Sequence, residues 1–176
     1  MLAAIRHLPT ALNQVGKLQG RLDPPILQND FLKDAAVLQN RQIIQGLQPE
    51  EVYVSPLLRA KQTAEVLGIN DYTIDERLTE FDFGVYEGQL KTQMLAEKGE
   101  EWCSKFSELS FGEDYQLFSK RILDFLVEVK DKHRLAAIVA HGVVIRYMLA
   151  LSLLRDADRC NQLHVSNNQL HIIHIP

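Results

Sequence analysis

The chain is poor in the features that would place it outside the ordinary soluble globular proteins. Among 176 residues there are two cysteines, Cys103 and Cys160, neither in a CxxC pair. Two thiols cannot build a disulfide-dense scaffold, and they read as free thiols of a reducing compartment. No apolar run approaches the roughly 18 residues that a membrane span needs. The opening segment MLAAIRH turns polar too early for a secretory leader, and a cytoplasmic location is the expectation. Positive charge is also in short supply. Nineteen Lys and Arg against 23 Asp and Glu leave a net charge of −4 and a pI of about 5.9. That balance argues against nucleic acid or an anionic membrane as a partner, so any anion site must be a local cluster of cations. HExxH, paired-Asp and Cys-rich patterns are missing, and with them any metal expectation. Internal repeats, low-complexity tracts and linkers are missing too, so residues 1–176 read as one domain.

What is present is an alternation of strands and helices. Residues 2–6 are an apolar strand ended by charge. Residues 8–27 carry Gly16, Gly20, Pro24 and Pro25 and read as a loop. Phe31, Ala35, Leu38, Ile43 and Leu47 recur near helical spacing from about residue 30 to 46. Residues 51–55 are a second strand. A helix follows with Ser55 as N-cap, Pro56 in its first position and Gly68 as its stop. Residues 71–76 form a short strand, and residues 89–110 begin as helix. Residues 114–132 form an amphipathic helix with Leu117, Ile122, Phe125, Leu126 and Val129 on its apolar side. Residues 134–141 (RLAAIVAH) are apolar throughout, as in a strand covered on both faces, and lead into another helix. NQLHV and QLHIIHI around SNN suggest a terminal hairpin. The fold class is α/β: a three-layer αβα sandwich with a mostly parallel central sheet.

Three strands end in polar residues that do not belong in a core: Arg6-His7, Ser55-Pro56 with Arg59 one turn on, and His141-Gly142. Ligands of open α/β sheets bind outside the carboxyl ends of the strands, and parallel strands bring these ends to one edge. Two imidazoles, two guanidiniums and the N-terminus of the helix after Ser55 would favour a compact dianion such as a phosphoryl group.

Those residues resemble the histidine phosphatase superfamily, in its phosphoglycerate-mutase-like branch (branch 1). That family opens with Arg-His-Gly-Glu-Thr after its first strand, and here stand Arg6-His7-Leu8-Pro9-Thr10, with Asn13 three residues on. LQGRLDPPI (18–26), SPLLRAKQTAEVL (55–67), DERLTEFDFGVYEG (75–88) and VAHGVVIRYML (139–149) resemble four further blocks in the same order. The resemblance implies a phosphoglycerate-mutase-like fold and a metal-independent phosphomonoester hydrolase without cofactor. By it His7 is the nucleophile that becomes phosphohistidine. Arg6, Arg59 and His141 hold the phosphoryl oxygens, Asn13 adds a neutral donor, and Glu80 gives the leaving group its proton. Asp82 and Glu87 stand close enough to be the acid instead. Gln19 and Arg21 would touch either substrate or only solvent.

The departure from the pattern is Leu8-Pro9 where the family has Gly-Glu or Gly-Gln. Leu8 is expected to line an apolar part of the pocket, with Trp102, Phe106 and Phe111 as further candidates for that wall. His133 reads as a solvated helix end, and His171 and His174 point to opposite faces of a strand. A chain with only about 25 residues between Gly88 and Asp114 has little material for the cover that mutases use against water, so hydrolysis is favoured over transfer. A mutase-type phosphotransferase or a phosphate- or phosphoprotein-binding module are the alternatives. The expected partner is a small phosphate ester, with a phosphoprotein also open; oligomeric state is not legible.

Overall fold

The computed structural model describes residues 1–175. Five strands form one sheet: β1 (Leu2–Arg6), β2 (Glu51–Val54), β3 (Thr73–Ile74), β4 (Ala136–Ala140) and β5 (Leu170–Ile173), in the order β3-β2-β4-β1-β5. All pairs are parallel except β1 with β5. Seven α-helices accompany them: α1 (Ala11–Gln14), α2 (Ala35–Leu47), α3 (Leu58–Val66), α4 (Lys91–Lys98), α5 (Glu101–Ser104), α6 (Tyr115–Lys132) and α7 (Gly142–Leu153).

The central strand β4 is buried at every position. Its alternate residues face opposite layers, as strand geometry requires. Ala136, Ile138 and Ala140 join Leu2 and Ala4 in a core with α6 and α7, whereas Val139 joins Ile5 and Val54 in a second core with α2 and α3. The sheet is thus covered on both sides, and the sandwich expected from the alternation is the observed fold. On α3, Arg59, Ala60, Thr63 and Ala64 are fully buried; the small side chains of the two alanines let the helix lie close to the sheet.

Register sets the functional edge. Arg6 pairs with Ala140 and Val54 with Val139. One step further, His7 N donates to Ala140 O (2.9 Å) and Ser55 N to Val139 O (3.1 Å). The carboxyl ends of β1, β2 and β4 therefore lie side by side.

Several sequence expectations shift. The helix expected to start at Pro56 begins at Leu58, because Asp23 from the preceding loop accepts from Leu58 N (2.7 Å) and does the capping; Ser55 points elsewhere. The apolar face of α2 is Val37, Asn40 and Ile44, while Leu38 and Ile43 are exposed. Asn40 is tolerated inside because its amide donates to Asn168 O (2.6 Å). On α6 the buried row begins at Phe118, and Leu117 is exposed. The terminal hairpin is not formed. Residues 157–162 coil as a short 3₁₀ segment, and β5 pairs with β1 instead. His133 is not simply solvated, since its Nε2 meets Tyr53 OH at 3.0 Å. Among the described residues no helix is long and apolar enough to cross a membrane.

Candidate active site

A cavity of about 240 Å³ opens over the carboxyl edge of the sheet, and Arg6, His7, Asn13, Gln19, Arg59 and Glu80 all line it. His7 is held by its own loop: Nδ1 lies 2.7 Å from Leu8 O. A carbonyl can only accept, so Nδ1 carries the proton and Nε2 keeps its lone pair. Burial first, then the charges of Arg59 and Arg6, hold its pKa well below that of a free histidine. The imidazole is neutral at neutral pH, as a nucleophile must be.

Arg59 is buried and Arg6 partly buried, and both are only partly satisfied. Arg6 donates to Val165 O (2.6 Å), and burial followed by repulsion from Arg146 lowers its pKa to about 10. Arg59 donates to Leu22 O (2.6 Å) and Gly20 O (2.8 Å), which ties the loop before α2 over the site. The Nε of both is buried with no acceptor among the described residues, as is the Nε of Arg146. Buried donors without acceptors are expensive; three on arginines that line one cavity mark it as a place for an anion. Gly142 lies against both groups: a Cβ there would stand in ordinary contact with Arg6 Cζ (3.5 Å) and slightly close to Arg146 Nη1 (3.3 Å).

His141 lies behind the cavity wall rather than on it. It is fully buried, its ring centre is 5.2 Å from that of His7, and its Nε2 is 2.7 Å from Ser55 Oγ. This is what Ser55 does in place of capping α3. Burial, then Arg59, His7 and Arg6, hold the His141 pKa well below the usual value. Its Nδ1 has no partner among the described residues.

Glu80 is the one carboxylate on the cavity wall among the described residues. Its position is set by Phe81 N (3.0 Å) and by Val143 N (3.2 Å), a free N–H of the first turn of α7. The two neighbouring acids are spent on the loop. Asp82 accepts from Gly84 N (2.7 Å), and Glu87 accepts from Arg21 N (2.8 Å) and Phe83 N (3.2 Å), with burial raising its pKa.

Asn13 closes a capping box with Thr10 at the start of α1. That commits its oxygen to the backbone and leaves its NH₂ for the cavity. Gln19, buried, accepts from Thr10 Oγ1 (2.9 Å). Arg21 is not on this cavity. It is half exposed and pairs with Glu113 (3.3 Å), bracing the loop from outside. Leu8 is not on it either. Its side chain is buried with Ile5, Phe31 and Val54, and its N–H donates to Thr63 Oγ1 (2.8 Å). Its φ is not positive, so the backbone here does not need the family's glycine. Trp102 does line the cavity, but Phe106 is wholly core and Phe111 packs against that core.

Sequence reasoning missed Lys17, Lys91 and Arg146, all on the cavity wall. Arg146 was findable, because four residues after Gly142 it shares a helix face with the strand end. The lysines were not: the bridge Lys17–Leu90 brings residue 17 and the start of α4 together across more than seventy positions.

Comparison with known proteins shows the family. The chain is 30% identical over 184 residues to "Putative phosphoserine phosphatase 2" of Hydrogenobacter thermophilus, covering 99% of this chain and 89% of that protein. It is 26% identical over 189 residues to "Metal-independent phosphoserine phosphatase" of Arabidopsis thaliana, covering 97% and 76%. The solved structure of a Mycobacterium tuberculosis open reading frame superposes with a TM-score of 0.81 at 19% identity, covering 98% and 95%. The model of the histidine phosphatase superfamily (branch 1) matches residues 2–176, the span that includes both strand-end histidines, and the chain belongs to that family.

Proposed function

We propose that this chain hydrolyses phosphate monoesters through a phosphoryl group carried on His7 Nε2. The observation that carries this reading is the His7 Nδ1–Leu8 O bond, which leaves a neutral imidazole with its lone pair among arginines that have donors to spare. The naming of relatives as phosphoserine phosphatases supports the same class.

In the first step Nε2 forms a bond to phosphorus as the ester P–O bond breaks. The charge on the equatorial oxygens is held by Arg6 and Arg59. Glu80 gives its proton to the departing oxygen. In the second step water attacks phosphorus, Glu80 takes the water's proton, and the N–P bond breaks to release phosphate. The arginines neutralise the charge, so the scheme uses no metal. Ser55 Oγ accepts a long bond from Leu57 N (3.4 Å) and lies 2.7 Å from His141 Nε2. With its Nδ1 buried and unpartnered among the described residues, His141 has a ring nitrogen to spare at the strand edge.

The test is phosphate release from para-nitrophenyl phosphate in the presence of EDTA, comparing wild type with His7→Asn, which keeps a donor near the Nδ1 position. Release that disappears in the variant, with an acid-labile phosphoryl adduct trapped on the wild type, is expected. Release that persists in the variant refutes the assignment.

A further inference from the structure

Glu80 sits on a loop that α6 holds on both sides of it. The Glu80 carboxylate meets Phe81 N and Val143 N, both backbone groups, so its place over the cavity depends on where residues 77–83 lie. Arg121 of α6 reaches that loop. Its Nη1 donates to Arg77 O, three residues before Glu80. Its Nε and Nη2 make a two-pronged contact with Glu113, at 2.8 Å to Oε1 and 2.9 Å to Oε2. Glu113 Oε2 then accepts from Asp82 N (3.3 Å), two residues after Glu80, and Glu113 N donates to Asp82 O (3.1 Å). Gly112 lets the two segments come this close, since a Cβ there would stand 2.2 Å from Asp82 Oδ1 and 2.7 Å from Gly84 N. Asp114 caps α6 by accepting from Gln116 N and Leu117 N, which leaves Glu113 to turn back toward Arg121. The Arg121 guanidinium lies 4.8 Å from the centre of the Phe118 ring, which also packs against Phe81. Leu78 and Phe81 anchor the loop in the core, but apolar contacts have no direction. The planar fork of an arginine on a carboxylate fixes direction as well as distance. Glu113 is buried, and an ion pair so placed returns little net stability, because desolvation offsets the attraction. Its effect falls on geometry.

We propose that Arg121 and Glu113 are positioning residues that hold Glu80 where the ester oxygen departs. This rests on reading Glu80 as the proton donor. Neither residue lines the cavity over the sheet edge; the pair acts through the backbone at Arg77 and Asp82. Proton transfer requires hydrogen-bond reach, and a displacement of about 1 Å can cost about 10²-fold in rate. Loss of the clasp therefore penalises an ester in proportion to how much its leaving oxygen needs a proton. A general loss of stability carries no such dependence.

The experiment compares kcat/KM for phosphoserine, an alkyl ester, with kcat/KM for para-nitrophenyl phosphate, whose leaving group needs no proton. This constant covers the steps up to transfer of the phosphoryl group to His7, so the hydrolytic second step does not mask the difference. Arg121→Met keeps an apolar stem against Phe118 and removes the fork. A double variant, Arg121→Met with Glu113→Gln, also removes the carboxylate that the first change leaves behind. Both are expected to lose about 10- to 10²-fold on the alkyl ester and no more than about threefold on the aryl ester. Arg121→Lys keeps the charge without the fork; it is expected to fall between wild type and Arg121→Met, and it carries the test if the other variants do not fold. On a Glu80→Gln background, Arg121→Met is expected to add less than about threefold on the alkyl ester, because the proton it positions is already gone. Leu8→Ala destabilises the opposite layer and should leave the alkyl-to-aryl ratio at its wild-type value. A ratio that stays at the wild-type value in all the Arg121 variants, or a full further loss on the Glu80→Gln background, overturns the positioning role and spares the acid reading. Equal losses on both esters in Glu80→Gln alone remove the acid role, and the positioning role with it.

Discussion

Replacing His7 by Asn and His141 by Gln in one protein should flatten the dependence of folding stability on pH between about 7.5 and 5.5. Both imidazoles are held neutral in the folded state, mainly by burial and then by Arg59. In the unfolded chain each has a pKa near 6.5. Below that value the unfolded state takes up protons that the folded state refuses, so stability is full above about pH 6.5 and is lost as pH falls toward the depressed folded values. Integrating proton uptake from pH 7.5 to 5.5 gives about 1.4 kcal/mol per histidine, and about 2.7 kcal/mol for the pair. The substitutions keep the local hydrogen bonds in kind: Asn has its amide near Nδ1, which meets Leu8 O, and Gln near Nε2, which meets Ser55. The other four of the six histidines are common to both proteins and cancel in the difference. Urea denaturation of wild type and the double variant at the two pH values measures it. A wild-type loss no larger than that of the double variant would refute the claim that these rings are buried uncharged.

Three further outcomes follow from the same geometry. Glu80→Gln keeps an acceptor for Phe81 N and Val143 N but has no proton to give, so kcat should fall by about 10²–10⁴ on alkyl phosphates and by less on a nitrophenyl ester, whose leaving group needs no proton; equal losses on both would remove Glu80 from the acid role. Leu8→Ala removes a fully buried side chain from the α2–α3 core and should cost about 2–5 kcal/mol in denaturation, while KM for a small ester stays within a factor of about two or three, because the side chain is not on the cavity. Thr63→Val strands the buried Leu8 N–H that Thr63 now serves; a loss of about 1–3 kcal/mol is expected, with kcat also reduced, since the backbone of the His7 loop is what that hydroxyl holds.

The layered fold was legible because apolar strands and amphipathic helices alternate in one order along the chain, and parallel strands with their carboxyl ends together admit few other arrangements. His7 with Arg6, and Arg59 on the helix after β2, were legible for the same reason, each being a polar residue where an apolar strand stops. The misreadings share a cause. Ser55 has the local signature of an N-cap, but Asp23, more than thirty residues earlier, takes that role and releases Ser55 to His141. Leu8 stands beside His7 in sequence, yet successive residues at a strand end point to opposite sides, and the next one enters the core. Arg21 was assigned to substrate by its neighbours in the loop, but Glu113, from another part of the chain, holds it outside.

By itself the sequence determined the order of elements and the sheet edge on which the polar residues gather, because these depend on periodicity and on local strand ends. Only the tertiary structure decided which tautomer His7 adopts, which of three nearby acids faces the cavity, and that Lys17, Lys91 and Arg146 join Arg6 there. Those are contacts across the chain, and their energies depend on burial and on distances between charges that no sequence spacing encodes.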